Sequence, residues 1–259
     1  MNGREETGQT IMWPVLKKII LWMVIGVPTA LAGGMLLIYI SLPDVGDLET
    51  NNPRSSALML QRFREAKQSQ RHLVIRHQWV PFNRIPKLLK DTIRVTEDAA
   101  FYQHQGLDLN ELKAAIKKNW QKGKYVRGAS TISQQLAKNL YLTTDKSILR
   151  KIKEFLITRR LEKRLSKNRI FDLYLNVIEF GPGIFGVQAA ARHFFDKDVS
   201  QLNIEEMVRL TAVIPKPLKE TPTGNSSWIK WKAGWILDTL RRYKYIDQNE
   251  YQVVKAKFL

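Results

Sequence analysis

The sequence predicts a mainly α-helical exported domain behind one N-terminal transmembrane helix, and three observations carry that expectation. Residues 19–42 run for 24 positions without a charge. From Ile85 onward, apolar residues recur at helical spacing almost throughout. The one convincing strand candidate is HLVIRHQWV at 72–80, where apolar and polar residues alternate. The 259-residue chain has no cysteine, which excludes a disulfide scaffold, thiol catalysis and Cys-ligated metal sites. Its formal charge is +18.

Taken in chain order, the uncharged run reaches about 36 Å as a helix, more than the roughly 30 Å of bilayer hydrocarbon. Trp13, Trp22 and Tyr39 suit interfacial positions at its ends. Ala30-Leu31-Ala32 resembles a signal-peptide cleavage site, but the apolar run continues ten residues beyond it, as an anchor does. Lys17 and Lys18 flank the N-terminal end, which places a tail of residues 1–18 in the cytoplasm and everything after Leu42 outside. The exported part keeps nearly all of the positive charge, so its partner is anionic. For a domain tied to a membrane, lipid headgroups and lipid phosphates fit that partner better than nucleic acid.

Residues 43–71 read as a polar linker opening a membrane-proximal helix at 56–70, and the globular domain as 72–259. Pro81 ends the strand candidate. Pro86 suits the first turn of a helix running to about Phe101. Helices follow at 110–122, ending at Gly123, and at 130–140, 147–165 and 170–176. A glycine-rich break, FGPGIFG at 180–186, precedes helices at 187–194 and 204–213, and IPKP at 214–217 starts a loop. The last helix carries Trp228, Trp231 and Trp235 at helical spacing, a stripe expected in the core.

Four segments group charge or polarity without structural need. In TEDAAFYQHQG (96–106), Glu97 and Asp98 end an apolar-periodic helix, where the helix dipole disfavours acids. His104 alone reads as a hydrogen-bonded structural histidine, and no zinc-ligand spacing surrounds it. In RGASTISQQLAKNLYL (127–142), hydroxyls and amides crowd a helix start. That arrangement suits an anionic or sugar-like ligand, and equally suits plain capping by Ser130 or Thr131. The run 146–169 holds ten Lys/Arg and two acids, a self-repelling arrangement that a bound anion relieves. There Glu154 sits among Arg150, Lys151 and Lys153, either as a salt-bridge partner or as a charge placed beside a phosphate or metal. In 171–198, glycines and small residues allow close backbone approach.

At these segments the chain resembles the bacterial peptidoglycan glycosyltransferases of family 51, specifically the monofunctional biosynthetic transglycosylases. The family motif E-D-x-x-F-x-x-H-x-G is matched by Glu97, Asp98, Phe101, His104 and Gly106. G-x-S-T-I-T-Q-Q is matched by Gly128, Ser130, Thr131, Ile132, Gln134 and Gln135, with Ser133 for the usual Thr. R-K-x-x-E is Arg150, Lys151 and Glu154. I-L-E-x-Y-L-N appears as 170–176, with Asp172 where Glu is usual, ending at Asn176. Gly186, Ala190 and Phe194-Phe195 continue the match, which spans about 80–251.

The resemblance implies a lysozyme-like, two-lobed domain with a membrane-facing jaw, anchored in the cytoplasmic membrane with its catalytic part outside. It implies lipid II as substrate, extended into β-1,4-linked glycan with release of undecaprenyl pyrophosphate. The growing strand, an anionic membrane surface and other cell-wall synthesis and division proteins are the implied partners. By motif position Glu97 is the general base for the acceptor hydroxyl. Lys138, Lys146, Arg150 and Lys151 would neutralise the leaving pyrophosphate. Glu154 would orient those cations or hold Mg²⁺ or Mn²⁺ against the pyrophosphate, no cofactor being required. Ser130, Gln134 and Gln135 would contact sugar or pyrophosphate oxygens, and Asp98, Phe101, His104, Gly128, Thr131 and Asn176 complete the implied substrate-binding set. A single inversion needs a base and a stabilised leaving group, with no covalent intermediate. Ser227-Trp228-Ile229-Lys230 reads S-x-x-K, but only 29 residues follow it, so no transpeptidase activity is expected.

Overall fold

The computed structural model describes residues 16–18, 20–123 and 128–258. Trp13, Ile19, Arg127 and the tail up to residue 15 lie outside the described residues. The chain forms two compact units, Met1–Pro43 and Asp44–Leu259. The first is built on one helix, α1 (Leu16–Ile40), which is long and apolar enough to cross a membrane and whose apolar stretch is unburied.

The second unit is mainly helical. Its helices are α2 (Ala57–Gln68), α3 (Lys87–Glu97), α4 (Leu109–Lys122), α5 (Ile132–Tyr141), α6 (Ile148–Arg164), α7 (Lys167–Val177), α8 (Val187–Phe195), α9 (Ile204–Val213), α10 (Ser227–Arg242) and α11 (Gln248–Lys255). Most starts are written in the sequence. Ser56, Asp108, Thr131, Ser147, Ser166, Asn203, Ser226 and Asp247 each accept a first-turn backbone N–H on the side chain. Every residue of α7 from Ile170 to Val177 is buried, so this helix is surrounded by the rest of the unit. Phe171 stands at its middle, with ring centroids 5.6 Å from Phe101, 6.0 Å from Phe82 and 6.4 Å from Tyr174.

Residues 72–79 alternate between exposed and half-buried as the sequence pattern predicts, yet only β1 (Arg76–His77) forms a strand. The reason is its partner's length. The glycine-rich segment, expected as a break, folds into β2 (Glu179–Gly181) and the two-residue β3 (Ile184–Phe185). The sheet order is β1-β3-β2, with β1 parallel and β2 antiparallel to β3. Segment 43–71 is folded into the same unit, with Leu58 and Met59 packed on Phe185.

Three further differences concern helices. α3 stops at Glu97 instead of about Phe101, because Asp98 leaves the helix with φ −160° and turns its carboxylate toward α5. The tryptophan stripe of α10 is not core: Trp231 is 59% and Trp235 41% exposed. The buried face of that helix is instead Ile229, Ala233, Ile236, Leu237 and Leu240, which leaves the adjacent tryptophan face outside. Finally, α10 is not the last helix, since α11 follows under an Asp247–Glu250 capping box.

Asn176, read from the motif as a substrate contact, is fully buried and structural. Its Oδ1 accepts the Val80 N–H at 2.9 Å and its Nδ2 donates to Val80 O at 3.1 Å, which staples the end of the strand segment to α7. Nδ2 also donates to Asp172 Oδ1 at 3.1 Å, and Arg169 donates to Asp172 Oδ2 at 2.8 Å. The short Asp side chain therefore satisfies both of its partners. Gly186 holds φ +82° directly against this staple, where a Cβ would lie 2.6 Å from the Asn176 carbonyl oxygen. Gly186→Ala is expected to lower unfolding stability by about 2–3 kcal/mol, since both the backbone strain and the fixed carbonyl oppose it. Thermal unfolding of the full chain in detergent measures this.

Candidate active site

Two adjacent acids at the end of α3 do different work. Asp98 is buried and receives two N–H groups: Ile132 N at 3.0 Å, and His104 Nε2, shared between its two oxygens at 2.9 and 3.1 Å. His104 Nδ1 accepts the Gly106 N–H at 3.1 Å, which makes the imidazole a donor through Nε2. Thr131 Oγ1 donates to Gly106 O at 2.8 Å. Gly106, at φ +89°, leaves no room for a Cβ, which would stand 2.7 Å from Thr158 Cγ2. These bonds fasten the turn after α3 to the start of α5. Asp98, His104 and Thr131 are therefore spent on structure, as is Gln134, which closes a capping box with Thr131. Phe101 is fully buried beside Phe171. Among these five and Asn176, the Gln134 amide nitrogen is the polar side-chain group left without a hydrogen bond among the described residues.

Glu97 points elsewhere. Its Oε2 accepts from Gln135 Nε2 at 3.0 Å, and Gln135 Oε1 accepts from the Tyr174 hydroxyl at 3.0 Å. Burial pushes the Glu97 carboxyl above its ordinary range and the Asp98 charge adds to this, while the Gln135 hydrogen bond and the ammonium groups of Lys232 and Lys138 pull it back. Burial lowers both lysines in turn, and the Glu97 charge opposes that in each case.

A second charged group lies at the start of α6. Glu154 is buried, and Arg150 donates to its Oε2 at 2.6 Å while Lys151 Nζ donates to its Oε1. Lys138 of α5 feels the charges of Glu154, Arg150, Lys151 and Glu97. It is the cation that joins the two groups. The structure thus gathers Glu97, Gln135, Lys138, Arg150, Lys151 and Glu154, with Gly128, Ser130 and Lys146 exposed on the segments leading into α5 and α6.

Lys232, Tyr174 and the pair Arg62–Glu179 escape the sequence reading. Lys232 lies over the Trp235 ring at 4.2 Å and hides in a stripe taken for core. Tyr174 belongs to the fourth motif but is unmarked by charge. Arg62 of α2 donates to Glu179 at 2.9 Å across 117 positions, and no local pattern joins them. The S-x-x-K segment is the first turn of α10, capped by Ser226, with Ser227 and Lys230 exposed and Ile229 in the core.

The donor set does not fit a protein-held divalent cation. Both Glu154 oxygens carry a cationic partner, and among the described residues no three His, Asp or Glu side chains converge.

A family model described as Transglycosylase matches residues 65–241. A biosynthetic peptidoglycan transglycosylase of Methylobacillus flagellatus is 47% identical over 167 residues, covering 64% of this chain and 73% of its own. Proteins of the same name from Janthinobacterium sp. and Nitrosospira multiformis are 41% and 42% identical over 203 and 186 residues. These cover 78% and 72% of this chain, and 87% and 81% of their own lengths.

Because Glu97 is held at a raised pKa, its ionised form costs stability above the ordinary carboxylate range, and that cost vanishes as pH falls below it. Glu97→Gln is expected to raise the melting temperature at neutral pH by about 2–4 °C, the shift that one kcal/mol gives a domain of this size. Calorimetry at neutral and acid pH checks both the gain and its disappearance.

Proposed function

We propose, for a chain that belongs to the transglycosylase family, that it polymerises peptidoglycan glycan strands from lipid II, with Glu97 as general base. The observation that carries this reading is one half-buried carboxylate, held by a neutral amide, near Lys138, whose charge also acts on the Arg150–Lys151–Glu154 cluster.

Glu97 Oε1, which takes no hydrogen bond among the described residues, receives the proton of the acceptor 4-hydroxyl as that oxygen attacks the donor C1. The C1–O bond to the lipid pyrophosphate breaks on the opposite side, and its electron pair leaves on the phosphate oxygen. An α-linked donor gives a β-linked product in one inversion. A raised pKa makes the carboxylate a stronger base toward a sugar hydroxyl than an ordinary glutamate. Lys138, Lys146, Arg150 and Lys151 supply positive charge to the departing diphosphate, and Glu154 holds Arg150 and Lys151 in place. In this reading Ser130 and Gln135 contact sugar or pyrophosphate oxygens.

α1 anchors the chain once in the cytoplasmic membrane, with Lys17 and Lys18 inside and the catalytic unit outside. α4 presents Leu109, Leu112, Ile116 and Trp120 on one exposed face, with Trp120 87% exposed, among Lys113, Lys117, Lys118 and Lys122. Such a face suits an anionic lipid surface.

In a polymerisation assay on purified lipid II, Glu97→Gln is expected to lose about 10³-fold in rate. Arg150→Ala should lose about 10²-fold through the leaving group. Near-normal polymerisation by Glu97→Gln defeats the base assignment. The acid limb of the wild-type rate profile should lie above the ordinary carboxylate range, because the Glu97 pKa is raised.

A further inference from the structure

The Gln135 carboxamide has an accepting and a donating end, and its neighbours decide which end meets Glu97. On one side stands the Tyr174 hydroxyl, fully buried at the middle of α7, donating to Gln135 Oε1 at 3.0 Å. On the other side Gln135 Nε2 donates to Glu97 Oε2 at 3.0 Å. A flipped amide would set its carbonyl oxygen against the carboxylate, a repulsive contact whenever Glu97 is ionised.

We propose that Tyr174 is a positioning residue that acts through Gln135: its hydroxyl fixes the amide so that the NH₂ end always faces Glu97, which keeps that carboxylate in its proton-accepting form with Oε1 turned to the substrate. This rests on the reading of Glu97 as the base. The charged groups facing Glu97 are Asp98 beside it in the chain, Lys138 from α5 and Lys232 from α10. From α7 the neutral Tyr174 faces it. Burial, aided by the charges of Glu97 and Asp98, raises the phenol well above its ordinary range, so it stays protonated and remains a donor. A neutral relay has a chemical advantage over a direct ammonium contact. It favours the carboxylate through a hydrogen bond without the full charge that would make the base too weak. The rigidity comes from the core, because the Tyr174 ring is packed at 6.4 Å from Phe171 while Gln135 lies on the site face of α5.

The test uses the full-length chain in detergent with purified lipid II, and records kcat, KM and the pH profile of Tyr174→Phe, Gln135→Ala and the double variant. Tyr174→Phe should lower kcat about 10-fold, the factor one ordinary hydrogen bond provides. KM should stay within about twofold. The acid limb should move to higher pH in both single variants, since each removes a bond that favours the ionised carboxyl. The double variant should be no worse than Gln135→Ala alone, because the two residues act in series. Losses that multiply, an unmoved acid limb or a change confined to KM would overturn the relay. Should Tyr174→Phe fail to fold, the half-buried Gln135→Ala still decides through its acid limb. An inactive Glu97→Gln beside an unaltered Tyr174→Phe defeats the relay alone, whereas an active Glu97→Gln defeats the base assignment and the relay with it.

Discussion

The fold around the site depends on one buried carboxylate. Asp98 takes the Ile132 amide and the His104 imidazole together, which welds the end of α3 to the start of α5. Helix α3 ends there, and its last residue, Glu97, is left alongside Gln135 one turn into α5. Gly106 and Thr131 complete the joint, with the tight backbone at Gly106 and the hydroxyl of Thr131 meeting at 2.8 Å. Paired acids at a helix end look alike in a sequence. Here one is spent on architecture, while the other keeps an oxygen that takes no hydrogen bond among the described residues.

Charge is then distributed by burial. Glu154 carries two cations on its two oxygens, which holds Arg150 and Lys151 close together despite their repulsion. Glu97 has no such partner in direct contact, and its lysines act through space. Breaking the first arrangement leaves a buried charge unpaired, whereas the second already tolerates a raised carboxyl. The contrast separates a carboxylate held in ion pairs from one held by a neutral amide, a difference that position in a motif does not show.

Each of the two units carries an exposed apolar surface of a different kind. α1 is apolar on all sides, as a helix surrounded by lipid must be. α4 is apolar on one face and basic around it, which suits the boundary between headgroups and acyl chains.

The sequence alone determined the helical class, the long uncharged N-terminal helix and most helix starts, and it singled out Glu97, Gln135, Lys138, Arg150, Lys151 and Glu154 as candidates. These rest on local rules, namely period, capping chemistry and motif spacing, which act over a few residues. It could not separate ligand-facing motif residues from those that hold the fold. Asp98, His104, Gln134 and Asn176 keep their motif positions yet hydrogen-bond within the protein. Nor could it reveal that the tryptophan face of α10 is open, or that β1 is cut to two residues by its partner. Tyr174 meeting Gln135 across 39 positions, and Arg62 meeting Glu179 across 117, were decided by tertiary packing alone. Side-chain direction and burial depend on which elements surround a residue, and the buried position of α7 supplies that information only once the chain has folded around it.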